Sequence, residues 1–182
     1  MTTVISMLRG VNVGGHNQIK MDALRSLYES LGWRNPQTYV QSGNVVFGTN
    51  ERDLPQLAQR IEKAIQQKFG FRPGVIVRTA SELKDVIARN PFAKRRDIHP
   101  GKLLVAFFNE QPAEDDCALL QRMKTESEEV RADGREIYLY FPDGAGRSKL
   151  FAATGKLKKL GTARNWNTVT RLLEIANGLE DS

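Results

Sequence analysis

Short β-rich runs alternating with runs of helical period, in the same order twice along the chain, predict an α+β protein built from two α/β plaits. Three observations carry that class. The first eighty residues read βαββαβ, the order restarts with a strand at Leu103, and two glycine-bearing hairpins, Ser42-Gly43-Asn44 and Asp133-Gly134, occupy the same place in each copy. The length of 182 residues suits one domain or two small ones.

The elements follow in order. Residues 2–8 are rich in Val, Ile and Thr and read as a strand, followed by the Gly/Asn-rich stretch Gly10 to Asn17. Met21, Leu24, Leu27, Tyr28 and Leu31 recur at helical spacing, and Gly32 stops that helix. Thr38-Tyr39-Val40 and Val45-Val46-Phe47 are short strands around the tight turn. Leu54, Leu57, Ile61, Ile65 and Phe69 mark a second helix ended by Gly70, and Gly74-Val75-Ile76-Val77 is the fourth strand. This is the ferredoxin-like βαββαβ order. A helix at 81–90 ends before Pro91, and a basic loop through Pro100-Gly101 marks a boundary. The second copy opens with a strand at 103–108. A helix follows with Pro112 at its first position, running to Lys124, and strands at 128–132 and 135–141 flank the second hairpin. Residues 148–160 and 166–177 then read as helices, so the second copy ends in helices rather than in a clear fourth strand. The expected layout is a plait sub-domain over 1–80, a connecting helix and basic loop over 81–101, and a plait-like sub-domain over 102–182, packed together.

Hydrophobic residues at 40% and charged residues at 26% describe a globular chain, neither disordered nor fibrous. One cysteine forms no internal disulfide, and Cys117, His16 and His99 are too few soft or imidazole ligands for a structural zinc site. The N-terminal apolar stretch has no basic leader and is too short for a signal core, and nothing approaches a membrane span. A cytoplasmic protein with no membrane partner is expected. The formal charge of +6 is unevenly spread. Glu110 to Asp143 holds 10 acidic and 4 basic residues, whereas Gly144 to Leu173 holds 7 basic and no acidic ones. That basic run, with Arg147, Lys149, Lys156, Lys158, Lys159 and Arg171, either lies over the acidic stretch or forms an anion-binding strip.

Plait connectivity brings the loop after the first strand, the first hairpin and the end of the second helix to one end of the sheet. Arg9, Asn12, Gly14, Gly15, Ser42 and Asn44 therefore gather near a helix N-terminus, where backbone donors favour an anion. The alternative is plain loop geometry, with glycines supplying positive φ and Asn44 serving the turn. The stretch is neither a Walker loop nor a dinucleotide Gly-x-Gly-x-x-Gly fingerprint. A second polar knot, Thr162-Ala163-Arg164-Asn165-Trp166-Asn167-Thr168, offers Asn165 or Asn167 as helix cap, Arg164 as a carboxylate or phosphate fork, a donor to loop carbonyls or a partner of the acidic segment, and Trp166 as an anchor or stacking platform.

Three blocks carry a resemblance. Leu8-Arg9-Gly10-Val11-Asn12-Val13-Gly14-Gly15, Tyr39-Val40-Gln41-Ser42-Gly43-Asn44-Val45-Val46-Phe47 and Thr162-Ala163-Arg164-Asn165-Trp166-Asn167-Thr168 resemble signature blocks of the bacterial domain-of-unknown-function 1697 family. The likeness spans essentially the whole chain and implies a pair of plait-like sub-domains. It implies no activity, cofactor or catalytic residue.

The catalytic inventory is thin. His16 and His99 sit in no nucleophile motif, and Cys117 follows Asp115-Asp116, whose charge would raise a thiol pKa. No catalytic residue, metal ligand or cofactor is assigned. The reading this supports is a protein that binds an anionic partner, nucleic acid or a phosphorylated ligand. Lys94-Arg95-Arg96 bears on the nucleic-acid form of it, and Tyr138 and Tyr140, which share a strand face, either stack bases or pack against the other sub-domain. The alternatives are an enzyme or sensor acting on a small anionic metabolite at the 9–18, 42–44 and 162–168 cluster, and a protein-interaction module. Exposed plait edges leave a homodimer open without selecting it.

Overall fold

The computed structural model describes residues Met1–Asp181 and divides into two compact units. The first holds Met1–Asp85 together with the C-terminal segment from Arg171, and the second is Val86–Thr170.

In the first unit the order is β1 (Thr2–Leu8), α1 (Met21–Ser30), β2 (Arg34–Tyr39), β3 (Asn44–Thr49), α2 (Leu54–Phe69) and β4 (Val75–Thr79). The sheet order is β2-β3-β1-β4 with antiparallel neighbours throughout, and the central register pairs Ile5 with Val46 and with Arg78. Alternation sends Val4, Leu8, Val45, Phe47, Val75 and Val77 to the helix-covered face, where they meet Leu24, Tyr28, Leu57, Ile61 and Ile65. Each fully buried aliphatic side chain there contributes about 1.5–3 kcal/mol of transfer free energy. Tyr28, Trp33 and Phe47 form an aromatic trio with centroids 4.8–5.1 Å apart, and Tyr28 Oη shares a 2.8 Å hydrogen bond with Ser6 Oγ. Helix α2 is capped by Asp53, whose carboxylate accepts the Gln56 N–H, and ends at left-handed Gly70.

Helix α3 (Ala80–Ala88) opens on a reciprocal capping box: Thr79 Oγ1 accepts from Glu82 N, and Glu82 Oε2 accepts from Thr79 N. A single 3₁₀ turn, Pro100–Lys102, leads into the second plait.

The second unit continues with β5 (Leu103–Phe107), α4 (Glu114–Met123), β6 (Glu129–Asp133), β7 (Glu136–Tyr140), α5 (Lys149–Thr154) and β8 (Thr162–Asn165), and α6 (Trp166–Glu180) follows. The sheet order β6-β7-β5-β8 repeats the first plait strand for strand. The second unit departs from expectation at three points. A fourth strand does exist: β8 pairs antiparallel with β5, Val105 opposite Arg164, in the place that β4 takes beside β1. The helix expected over 148–160 stops at Thr154. Leu157 keeps the apolar spacing of Leu150 and Ala153 and is buried with them, although the backbone has already left the helix. Pro112 also lies two residues before the first helical position, because Ala113 is the N-cap and Glu114 opens α4.

Gly161, just before β8, has a structural requirement that no other residue meets. A Cβ there would collide with the Phe107 carbonyl and come within 2.8 Å of the Phe108 ring. Tyr138 and Tyr140 lie on the sheet face away from α4 and α5, covered by the 86–99 segment of their own unit. The Tyr138 hydroxyl donates to the Val86 carbonyl at 2.6 Å, and Phe92 packs 6.2 Å from the Tyr140 ring. Both are buried, so neither offers a face for base stacking.

Candidate functional site

In the first unit the loop end forms where plait topology puts it. The Leu8 N–H donates to Gly43 O at 2.9 Å and the Arg9 N–H to Gly74 O at 2.8 Å, tying together the end of β1, the β2–β3 turn and the start of β4. Asn12 stitches the loop shut. Its Nδ2 donates to Ile19 O (3.0 Å) and Gln41 O (2.7 Å), while its Oδ1 accepts the Ile19 N–H (2.9 Å). Gly14 and Gly15, at φ +58° and +77°, are the two central residues of a turn closed by His16 N–H to Val13 O, a geometry that requires two residues with positive φ. Asn44 is fully buried, and its Nδ2 donates to Tyr39 O and Ser42 Oγ. Asn12, Ser42 and Asn44 thus knit the loop to the hairpin. Arg9 differs: its chain runs past Gly74, and among the described residues its guanidinium has no hydrogen bond or ion pair. Sequence reasoning missed Val40, a β-branched residue held at φ +51° in the same turn and 44% exposed.

The polar knot belongs to the second unit. Arg164 is only 6% exposed; its Nη1 donates to Thr162 Oγ1 (2.6 Å) and Ala163 O (2.9 Å), and burial pushes its pKa down to about 10. Asn165 is the cap of α6, accepting the Asn167 N–H at 2.9 Å and donating to Gly101 O at 3.0 Å. Trp166, the first helical residue, is half-buried.

The basic run splits into two classes. Lys158 Nζ lies 2.8 Å from Asp115 and Lys159 Nζ 2.6 Å from Glu110, while Asp116 accepts the backbone N–H groups of both lysines. The hydrogen bond from each lysine holds its carboxyl partner, Asp115 or Glu110, below the usual carboxylate range. Arg171 pairs with Glu174. Arg147, Lys149 and Lys156 are exposed, and none has an acidic partner among the described residues. Lys102 shares that condition, and its Nζ lies 3.8 Å from where a Cβ on Gly144 would stand. In the basic connecting loop, Arg95 is held by Asp97 and Glu129.

Among the described residues no buried side-chain nitrogen or oxygen lacks a partner, and no three His, Cys, Asp or Glu side chains are placed to hold a metal. No helix among them is long and apolar enough to cross a membrane. The Cys117 thiol is pushed up, first by burial and then by Asp116 and Glu114, which makes it a weak nucleophile. A feature without a sequence signal is a trough in the first unit. One hollow of about 240 Å³ is lined by Trp33, Arg34, Glu51 and Arg60, and another of about 330 Å³ by Thr3, Arg34 and Asn35. Glu51 there accepts from Trp33 Nε1 and pairs with Arg60.

No curated protein sequence matches the chain. A solved structure, the conserved bacterial protein SP0830 from Streptococcus pneumoniae, is similar with a TM-score of 0.77 at 20% identity, covering 96% of this chain and 98% of that one. That likeness concerns the fold alone. The model of the family described as "Protein of unknown function (DUF1697)" matches residues 1–138, which takes in the loop and hairpin blocks of the first plait, and the chain belongs to that family.

Proposed function

We propose that the protein binds an anionic partner through the exposed cations of its second unit, Arg147, Lys149 and Lys156, with Lys102 beside the same loop. The observation that carries the reading is their lack of acidic partners next to lysines that have them: Lys158 and Lys159 are spent on Asp115 and Glu110. Exposed cations left uncompensated raise the local potential and attract polyanions. The segment has acids of its own, Asp143 in the preceding loop and Glu128, which accepts from Ser148 Oγ. The partner is taken to be nucleic acid or a phosphorylated ligand, and the compartment to be the cytoplasm, where both abound.

Titration of a fluorescent oligonucleotide and of inorganic polyphosphate at low salt tests the reading. Binding should weaken as salt rises, with a log–log slope of roughly −3 to −4 if about four phosphates are neutralised. The triple variant Arg147→Gln, Lys149→Gln, Lys156→Gln should lose at least tenfold in affinity while melting at an unchanged temperature. Absence of binding to both probes at low salt overturns the reading.

A second reading has one observation in its favour, the uncommitted Arg9 guanidinium in the first unit. A small anion seated there would raise the melting temperature of the wild type and not of Arg9→Gln.

A further inference from the structure

We infer that the anion is a single-stranded nucleic acid, with Phe151 as the surface on which a base stacks; this rests on the anion-binding reading above and names the partner of that same surface. Phe151 is 40% exposed and, among the described residues, is the one aromatic side chain counted with the exposed large apolar groups. It sits in α5 and lies in sequence between the unpaired cations. Lys149 opens the helix, Ser148 caps it by accepting the Phe151 N–H at 3.3 Å, and Arg147 precedes the cap. Lys156 follows the C-terminal Gly155. The Phe151 ring is held from one side by Phe141, centroids 6.0 Å apart at an interplanar angle of 82°, so its position is set by the core.

Two features select the partner's form. The first is spread along the chain: Lys149 opens α5 and Lys156 lies beyond its Gly155 cap, so the cations stand at opposite ends of a helix about 9 Å long, farther than one phosphate group reaches. An extended polyanion meets both ends, and a small phosphorylated metabolite meets one. The second is the aromatic ring. Polyphosphate and other purely ionic polymers gain little from an exposed phenyl group, and in a duplex the base faces are already stacked. A single strand presents unstacked bases along a charged backbone, which is the combination that cationic grooves with aromatic platforms bind.

The experiment compares three probes at low salt by fluorescence anisotropy or competition: a 12-nucleotide single strand, the blunt duplex of the same sequence, and inorganic polyphosphate. The wild type should prefer the single strand over the duplex by tenfold or more. Phe151→Ala should weaken single-strand binding about 5- to 100-fold and leave polyphosphate binding within twofold. Phe151→Leu retains the apolar contact with Phe141 while removing the ring, so it separates stacking from folding and should lose affinity as the alanine variant does. Phe151→Trp should restore or exceed wild-type affinity. Equal affinity for duplex and single strand, or an unaltered Phe151→Leu, overturns the stacking inference and leaves the anion-binding reading standing. Failure of all three probes to bind overturns both.

Discussion

At Asn12 a side-chain amide takes the place of a peptide group. Its Oδ1 and Nδ2 pair with both backbone groups of Ile19 as a neighbouring strand would, and the second N–H reaches the hairpin at Gln41. The residue stands at φ +57°, a conformation asparagine tolerates better than most side chains. Asn12→Ala removes all three bonds and leaves Ile19 and Gln41 to find other partners. It should cost about 1–3 kcal/mol in denaturant unfolding, with the greatest loss of amide protection within residues 10–19. An unchanged midpoint would mean that the loop is closed by its glycine turn alone. Sequence spacing brought Asn12 and Asn44 to the right end of the sheet, because that follows from strand order. It offered a turn role for Asn44 but did not reveal what takes up the Asn12 amide, since Ile19 and Gln41 accept or donate through the backbone and leave no mark in the residue pattern. Arg164 hid for a different reason: an arginine reads as solvent-facing, and only the pairing of β8 with β5 carries it inside.

Among the elements, β1, β3 and β4 were legible from their short runs rich in Val, Ile and Phe, β2 only at its Thr38-Tyr39 end, and β8 was not. Thr162-Ala163-Arg164-Asn165 contains one strand-favouring side chain, and the apolar stripe of Leu150, Ala153 and Leu157 imitates a helix that in fact ends at Thr154. The basic segment was half legible: an acidic complement was foreseeable from charge segregation, but which lysines it would consume depends on where Gly155 turns the chain. Freeing the consumed ones gives a prediction at this scale. Asp115→Asn with Glu110→Gln releases Lys158 and Lys159, and polyanion affinity should rise about 3- to 10-fold with a steeper salt slope. Acidification should reproduce this only below the ordinary carboxylate range. Both carboxyls titrate lower than usual in the folded protein, so each pairing persists until the pH falls through that depressed value. An affinity that stays flat in the double variant would separate these lysines from the binding surface.

For the whole molecule, the repeat of strand, helix and hairpin was evident in the sequence pattern although the last strand of the second copy was not, and the strand orders β2-β3-β1-β4 and β6-β7-β5-β8 show how closely the copies agree. The expected boundaries, 1–80 and 102–182, follow the chain in line. The compact units instead group Met1–Asp85 with the residues from Arg171, among them buried Leu172 and Ala176. Burial of a C-terminal stripe cannot be assigned to a distant partner from local periodicity, which is why that grouping was not foreseen. A fragment ending at Asp85 should therefore unfold at lower denaturant than the same residues within the full chain, whereas Val86–Thr170, continuous in sequence, should retain a cooperative transition when expressed alone. Equal stability of the short fragment would show that the late segment adds nothing to the first plait. If it does add something, a timing rule follows for the ribosome-bound chain. The first plait must wait for a segment made well after it, so it stays incomplete, and open to proteases and chaperones, until the residues from Arg171 have emerged, while Val86–Thr170 is free to mature ahead of it.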